Sequence, residues 1–269
     1  MLLSRSYFGR FILKPIHEFL NRFVSRKSKK CSTCCEDDED GMFRLPNELL
    51  KKFNEIRCLS VKLPGHDGDI SPENGSGALL KWKADFGKEL ENCVILGATG
   101  FQKSETKLEI GSVSANLTNK QLKKRVVWTI SCLIASSARH HMLKQIISQN
   151  GMIREVKISD GSKQGTIEMT EKQVAELRKE MNSTAAELDR TRIPAVTIKM
   201  WYVPVLELPE SAGVMRGATL TVIRPTVRAS EMDDDVTLAV GAFGENFMVE
   251  AVRKLIATKK SYTLEMNSF

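Results

Sequence analysis

Outside its first 30 residues, the 269-residue chain lacks net charge. It contains 40 Lys and Arg against 33 Asp and Glu, which gives a formal charge of +7. Residues 1–30 hold eight basic residues and one acidic residue, Glu18, and therefore account for the whole +7. A domain that binds nucleic acid concentrates basic residues on its folded surface. Because the remaining residues are formally neutral, we predict no nucleic-acid partner.

Long apolar runs are also missing. Arg10 and Lys14 bracket Phe11-Ile12-Leu13, whereas a secretory signal needs about 7–15 apolar residues in a row. The uncharged stretch 126–138 includes three serines and is shorter than the roughly 20 residues that cross a membrane. With no secretory signal, the six cysteines indicate a reducing compartment, so we expect the protein in the nucleus, the cytoplasm or both.

Catalytic motifs are missing as well. There is no Gly-x-Ser-x-Gly elbow, no P-loop lysine and no Tyr-x-x-x-Lys pair. Ser137 and His140 lie in a helical, largely apolar stretch without glycines, which is typical of helix residues that bond to backbone rather than of a catalytic triad. We therefore predict a soluble binding module that is not an enzyme, with no catalytic, cofactor-binding or metal site.

One turn keeps an enzyme alternative open. Gly97-Ala98-Thr99-Gly100 follows an apolar run and resembles the phosphate-binding turn of short-chain dehydrogenases, where glycines let the backbone approach a pyrophosphate. The third glycine of that motif is absent, and a polar segment follows. We interpret Gly97 and Gly100 as a turn at the end of a strand, and the alternative is a dinucleotide-binding oxidoreductase-like protein.

A cysteine cluster near the N-terminus allows several readings. Cys31, Cys34 and Cys35 offer three thiolates, but a structural zinc site needs four ligands, usually with a second pair at fixed spacing. His140 and His141 point about 100° apart on a helix and do not complete one. Lipidation of Cys34 or Cys35, and a linker with free thiols, remain as alternatives.

The first 40 residues are predicted to be separate from the rest. Apolar residues recur at helical spacing among basic ones up to Phe23, so this segment is a helix that docks on the core, a transit peptide or a membrane-surface helix. The basic block 25–30 and the acidic block 36–40 then indicate a linker. We predict residues 1–40 as a partly disordered basic segment and linker, with a possible membrane contact through residues 1–35, and residues 41–269 as an α/β recognition domain.

Hydrophobic periodicity predicts the fold of that domain. Helices are predicted at 49–53, 78–90, 122–148, 170–188 and 247–260, and strands at 56–63, 93–96, 153–158, 195–208, 218–223 and 262–266. Pro204 implies that the strand 195–208 is broken or lies at an edge. Helix followed by strand recurs, which favours an α/β fold with a mostly parallel sheet and packed helices, and with a strand-rich segment near 195–225. An irregular leucine-rich-repeat-like array is the alternative arrangement.

The segment 43–50 resembles the opening of an F-box, the three-helix motif that binds the Skp adaptor of cullin ubiquitin ligases. It contains Phe43, Leu45 and Pro46 followed by Leu49 and Leu50. An F-box continues for some forty residues of helix, whereas here a predicted strand and a Pro-Gly step arrive within twenty. We therefore interpret this segment as part of the recognition domain.

Four longer stretches are more specific than any of these motifs. They are residues 80–97 (LKWKADFGKELENCVILG), residues 124–140 (KRVVWTISCLIASSARH), the pair 201–209 and 217–225 (WYVPVLELP and GATLTVIRP), and residues 264–269 (LEMNSF). Together they resemble the body of a plant F-box protein family that includes the auxin-up-regulated F-box proteins. The likeness covers residues 1–30 and 49–269, and it includes a basic, Phe-rich segment with a Lys14-Pro15 step.

This resemblance implies a substrate receptor of an SCF-type ubiquitin ligase, acting in auxin or developmental signalling. In the family the F-box precedes the Phe-rich segment, with which this chain begins. Three explanations remain for why no F-box is recognisable in this chain: a truncated gene model, a fragment, and a natural form without the F-box. The resemblance therefore implies binding of a protein target, with binding of the Skp adaptor and a cullin only if an F-box is supplied. The target, the residues that bind it and the oligomeric state stay open.

Overall fold

The fold is that of a computed structural model, which describes residues 50, 55–63, 77–103, 117–161, 164–183, 191–227, 235–258 and 260–269. These ranges form eight strands and four helices. In chain order they are β1 (Cys58–Leu63), β2 (Gly77–Phe86), β3 (Leu90–Lys103), α1 (Asn119–Gln149), β4 (Glu155–Asp160), β5 (Gly165–Met169), α2 (Glu171–Ser183), β6 (Val196–Leu208), β7 (Gly213–Pro225), α3 (Asp235–Ala242), α4 (Asn246–Ala257) and β8 (Ser261–Met266). The boundary predicted between residues 40 and 41 lies outside these ranges and stays a prediction.

All eight strands join one mixed sheet in the order β1-β4-β5-β2-β3-β7-β6-β8. Five of the neighbouring pairs are antiparallel, and β1–β4 and β2–β5 are parallel. The prediction of a mostly parallel sheet is therefore wrong. The prediction of a leucine-rich-repeat-like array is also wrong, because a solenoid stacks its strands in sequence order. The strand-rich segment near 195–225 is present as the β6–β7 hairpin.

The prediction of a mostly parallel sheet failed at the segment 78–90, because this segment forms strand β2 rather than a helix. Trp82, Ala84 and Phe86 alternate along β2 and enter the core on one face, as the period of a strand requires. Leu79 enters a second core on the other face, which gave the sequence its helix-like spacing. Because only residues 87–89 separate β2 from β3, the two strands form an antiparallel hairpin.

Two elements were missed, β5 and α3. Strand β5 has only five residues, and its hairpin with β4 is fixed by Asp160, whose carboxylate accepts hydrogen bonds from the backbone N–H groups of Gln164 (2.7 Å) and Gly165 (3.2 Å). The Asp160-Gly161 step is a turn signal that could have predicted it. Helix α3 is rich in Val, Thr, Gly and Ala and gives a weak local signal, because residues of these types other than Ala are poor helix formers.

Helix α1 agrees with the prediction of a long helix at 122–148. It begins after Thr118, which forms a capping box with Gln121. Leu133 on its inner side is fully buried, while Ile134 is only half-buried, so the helix is deeply buried on one side only. In the part of the chain that the structure describes, no helix combines the length and the apolar character needed to cross a membrane.

Strand β6 runs through Pro204 without interruption. Its outer neighbour β8 pairs with it only from Val196 to Trp201. Pro204 therefore lies where β6 has become an edge, and the missing N–H costs no ladder bond on that side. Of the two predicted alternatives, a break and an edge, the edge is correct.

Helices cover the two faces of the sheet unequally. Helices α1 and α2 lie on one face, where they enclose a core that contains Phe86, Leu143 and Ile167. Helices α3 and α4 cover the other face only over β3, β7 and β6. On this second face, no described helix covers the half formed by β1, β4, β5 and β2, and that half is the most accessible part of the sheet.

Candidate functional site

The uncovered half of the second face, here called the open face, carries polar side chains and the thiol of Cys58, while Leu79 of β2, on the same side of the sheet, is buried in the second core. The alternation of each strand places apolar residues in the core and polar ones on this face, as expected for a sheet that is solvated on one side. Its members are exposed or half-buried, apart from Lys81, which is 9% exposed. They are Cys58, Ser60, Lys62, Lys81, Lys83, Asp85, Glu155, Lys157, Ser159, Thr166 and Glu168.

A charge network lies in the middle of the open face. Glu168 on β5 accepts a hydrogen bond from Lys157 and forms an ion pair with Lys83, whose Nζ lies 3.0 Å from Oε2. Burial opposes ionisation of Glu168, but the bonds from the two lysines outweigh it and hold the pKa of Glu168 below its usual range. Burial also raises the pKa of Asp85, against the opposing effects of Lys83 and Asn92. Two lysines therefore share the single carboxylate of Glu168.

A small cleft borders the open face where it meets the α3–α4 connection. Its volume is about 130 Å³. The sheet contributes Lys81, Trp82, Lys83, Gln164 and Thr166, and the α3–α4 side contributes Ala242, Phe243, Gly244, Glu245 and Met248. Pockets for drug-sized ligands and cofactors usually measure about 300–1,000 Å³. The cleft is therefore too small for a dinucleotide and has room for one amino-acid side chain.

His140 has a structural position. The ring is fully buried and stacks on Phe86, with 4.3 Å between the ring centroids. Nε2 lies 3.2 Å from the carbonyl oxygen of Gly87, and Nδ1 lies 2.9 Å from Oγ1 of Thr191. Ser137 donates to the carbonyl oxygen of the same threonine. The two residues therefore connect α1 to neighbouring segments, as the sequence predicted, and do not bond to each other.

Gly97 and Gly100 lie inside β3, which continues to Lys103. β3 has antiparallel neighbours on both sides, β2 and β7, so these glycines do not form a turn before a helix N-terminus. The interpretation as a strand-end turn is therefore wrong, and the dinucleotide alternative loses the geometry on which it depended. A Cβ at Gly97 would lie 2.9 Å from the Trp128 ring, so this glycine lets α1 approach the sheet closely.

Arg125 supports the same contact between α1 and the sheet and was missed by the sequence reasoning. It is 2% exposed, and it donates to Oγ1 of Thr219 (2.8 Å) and to the carbonyl oxygen of Gly217 (3.1 Å). Its guanidinium carbon lies 4.4 Å from the centroid of the Tyr202 ring. Burial lowers the pKa of Arg125. A buried cation that donates two hydrogen bonds to β7 and lies over the Tyr202 ring of β6 anchors the helix to the sheet.

Replacing Gly97 with alanine tests this structural role. Gly97→Ala should lower the free energy of unfolding by about 1 kcal/mol, because the half-buried Trp128 must shift to admit the methyl group. Gly100→Ala is the matched control, since its Cβ would meet only Arg216 at 3.9 Å, and it should change stability little. Urea unfolding measures both. Saturable quenching of Trp fluorescence by NAD or NADP, abolished in either variant, would instead support the dinucleotide alternative.

Among the described residues, no group of three or more His, Cys, Asp or Glu side chains could hold a metal ion. Cys58, Cys93 and Cys132 are free thiols, and burial raises the pKa of Cys93 and Cys132. Residues 1–49 lie outside the described residues. The predictions for the cysteine cluster at Cys31, Cys34 and Cys35, for the membrane contact of residues 1–35 and for most of the segment 43–50 therefore stay predictions.

The sequence contained a signal for the open face that the helix prediction concealed. Lys81, Lys83 and Asp85 occupy alternate positions of β2, so one face of that strand is polar at these positions. Reading the segment 78–90 as a helix scattered these three residues around its circumference. The residues on the helical side of the cleft could not be predicted in this way. Helices α3 and α4 come much later in the chain and reach the cleft only through the tertiary fold.

Comparison with known proteins gives several relatives that share most of this chain. F-box protein At1g30200 of Arabidopsis thaliana is 40% identical over 271 residues, which cover 96% of this chain and 69% of the relative. F-box protein AUF2 of the same plant is 38% identical, over 84% of this chain and 72% of the relative. F-box protein AUF1 is 33% identical, over 97% of this chain and 80% of the relative. No family model and no solved structure matches the chain.

Proposed function

The chain belongs to the plant F-box protein family that includes AUF1 and AUF2, and on this basis we propose that it is the substrate-recognition component of an SCF-type ubiquitin ligase. In this role it holds a protein target and catalyses no reaction itself. An F-box binds the Skp adaptor, which connects the receptor to the cullin. The observation that carries the proposal is the 40% identity to an F-box protein over 96% of this chain.

The geometry fits a receptor for a protein target. His140 and Arg125 are buried polar side chains that bond to neighbouring elements of the fold. Their hydrogen bonds therefore serve the structure of the protein. The open face is polar, accessible and built on a continuous sheet, and a small cleft adjoins it. Binding residues on a rigid scaffold lose little conformational entropy when a partner binds. The open face and its cleft are the target-binding surface in this proposal.

We extend the proposal to the cellular setting. The resemblance to auxin-up-regulated F-box proteins supports a role in auxin signalling, and receptors of this class act in the nucleus, the cytoplasm or both. Both compartments are reducing, and a reducing environment is what the cysteines of this chain lead us to expect.

Reconstitution of ubiquitin transfer tests the proposal. The 269-residue chain with an F-box from AUF1 joined ahead of Met1 should co-purify the Skp adaptor and a cullin from plant cells. In the presence of a proteasome inhibitor it should also increase ubiquitin conjugation of the proteins that it captures, as measured by quantitative mass spectrometry. The 269-residue chain alone is the matched control and should capture the same proteins without the adaptor. A fusion that binds adaptor and cullin but enriches no ubiquitinated protein would contradict the role.

A further inference from the structure

We propose that the first two turns of α1 and the adjoining part of β7 form a second interaction surface, which binds an acidic segment of a partner protein. This surface, here called the basic patch, consists of the exposed side chains of Lys120, Lys124 and Arg216, with the buried Arg125 beneath them. It lies on the side of the sheet opposite to the open face. The inference therefore goes beyond the proposed function and does not depend on it.

The basic patch is compact because α1 begins over β7. Arg125 donates from Nη2 to the carbonyl oxygen of Gly217 (3.1 Å), and Lys124 and Arg216 directly precede these two residues in the sequence. Met215 enters the second core. Alternation along β7 therefore places the neighbouring Arg216 on the face that carries α1.

The charges of this region are unbalanced. Among the described residues, Lys120, Lys124 and Arg216 form no ion pair. Residues 119–126 of α1 contain no Asp or Glu. The carboxylates of the β6–β7 hairpin, Glu207 and Glu210, lie nearer its turn than Arg216 does and are not paired with the patch. The cations of the patch therefore outnumber the carboxylates beside it.

Arg125 adds to the positive potential from below. It is 2% exposed, and its three hydrogen bonds go to the Thr219 hydroxyl and to the carbonyl oxygens of Gln121 and Gly217. All three acceptors are uncharged, so no carboxylate cancels the charge of the guanidinium. A buried charge is also screened by salt less than an exposed one. The surface above Arg125 therefore attracts anions.

The arrangement is unfavourable in the isolated chain. The N-terminus of a helix favours negative charge nearby, yet the first turn of α1 contains no acidic residue. Lys120 and Lys124 are four residues apart, a spacing at which like charges repel each other. Natural proteins break such local rules mainly at functional sites. Carboxylates of a partner would relieve both effects.

The size of the patch favours a protein segment as the partner. Nucleic-acid binding commonly uses about 6–10 phosphate contacts, whereas the patch has three exposed cations and the chain after residue 30 is formally neutral. The acidic block 36–40 of the same chain follows the basic block 25–30 closely, and these opposite charges attract each other. A partner segment with several Asp or Glu residues close together is therefore the occupant that we infer.

Carbodiimide cross-linking of octaglutamate to the full 269-residue chain tests the inference, because it joins carboxylates to the lysines that they contact. Peptide mapping by mass spectrometry should place most links at Lys120 and Lys124. Lys62 on β1 and Lys179 on α2 are the internal controls, since both are exposed and lie away from the patch. They should form few links, and octaglutamine should not compete.

Arg216→Gln tests whether the patch acts as a unit. Arginine does not react with the carbodiimide, yet its loss should lower the yield of links at the two α1 lysines by about two- to fivefold, as expected for one exposed charge pair. Arg253→Gln removes the same charge from an exposed position on α4 and should leave the yield unchanged. Thermal unfolding confirms that both variants are folded.

Several results would overturn the inference. One is a yield at Lys120 and Lys124 no higher than at the internal controls, or unchanged in folded Arg216→Gln. Links from the block 36–40 to these lysines without added peptide would assign the patch to the chain itself. An RNA octanucleotide that prevents the links at lower concentration than octaglutamate saturates them would assign it to nucleic acid. None of these results bears on the ligase role, which the ubiquitin-transfer assay tests separately.

Discussion

Lowering the pH from 7 towards 4 is expected to cost the protein several kcal/mol of stability through one histidine. His140 is fully buried, and burial above all, with a smaller contribution from Lys144, lowers its pKa from 6.5 to about 3. The Gly87 carbonyl can only accept, so Nε2 carries the proton and Nδ1 accepts from the Thr191 hydroxyl. A second proton, on Nδ1, would remove that acceptor inside the core.

The sign of the effect follows from the lowered pKa. In the unfolded chain His140 takes up a proton below about pH 6.5, whereas in the folded protein it remains neutral until about pH 3. Its contribution is therefore complete above pH 6.5 and is lost progressively as the pH falls. At 1.36 kcal/mol per pH unit, the total loss approaches about 5 kcal/mol. Since domains of this kind are stable by about 5–15 kcal/mol, acid alone should bring the protein close to unfolding.

Urea unfolding at half-unit steps between pH 7.5 and 4.5 measures this loss. His140→Gln should be less stable than wild type at pH 7.5 and should show a much smaller decline between pH 6.5 and 5. His141→Gln, one position along the helix and only half-buried, should retain the decline of the wild type. Glu168, whose pKa is also lowered, stabilises the folded protein above its ordinary pKa of 4.5, and this stabilisation is lost only below that pH, outside the range measured here. An equal decline in His140→Gln and wild type would disprove the assignment.

The elements that the sequence predicted correctly have strong local signals. Helix α1 has a capping box at Thr118 and buried residues along most of its length. The short β-branched or apolar runs predicted as strands at 93–96 and 262–266 lie within β3 and β8, although β3 extends further at both ends. The helix prediction for the segment 78–90 was wrong because the apolar residues of a strand with both faces partly buried can follow helical spacing. Strand β5 was missed because its position depends on Asp160 and on pairing with β2, which lies far away in sequence.

The candidate site was only partly predictable for the same reason. Alternation along β2 places Lys81, Lys83 and Asp85 on one face once the strand is recognised. Their relation to Phe243 and Met248 depends on how α3 and α4 pack on β6 and β7, which no local pattern encodes. The family was recognisable because its longest matching stretches are specific in sequence. In the structure they are the β2–β3 hairpin, most of α1 and much of the β6–β7 hairpin, and the two hairpins are neighbours at the centre of the sheet.

Replacing Gly165 with alanine should destabilise the protein by about 3 kcal/mol, the upper end of the range for overpacking a core. A Cβ at Gly165 would lie 2.1 Å from Cε2 of Trp82. The indole has little room to move, because it is 5% exposed and the guanidinium carbon of Arg139 lies 4.6 Å from its centroid. Arg139 in turn bonds to Asp160 and to the Gly165 carbonyl, both at 2.6 Å. The methyl group therefore displaces a buried ring whose other contacts, including the one with Arg139, resist the movement.

A double-mutant cycle tests whether Trp82 causes the loss of stability in Gly165→Ala. Trp82→Leu alone loses buried surface, but in that background Gly165→Ala should cost less than 1 kcal/mol, and the difference measures the collision between the two residues. Gly241→Ala is the matched control, because nothing lies within 4 Å of its Cβ position, and as a substitution inside helix α3 it should stabilise by about 0.5–1 kcal/mol. If Gly165→Ala were as stable as wild type, the β4–β5 hairpin could not lie against Trp82. The parallel β2–β5 pair that supports the open face would then be placed incorrectly.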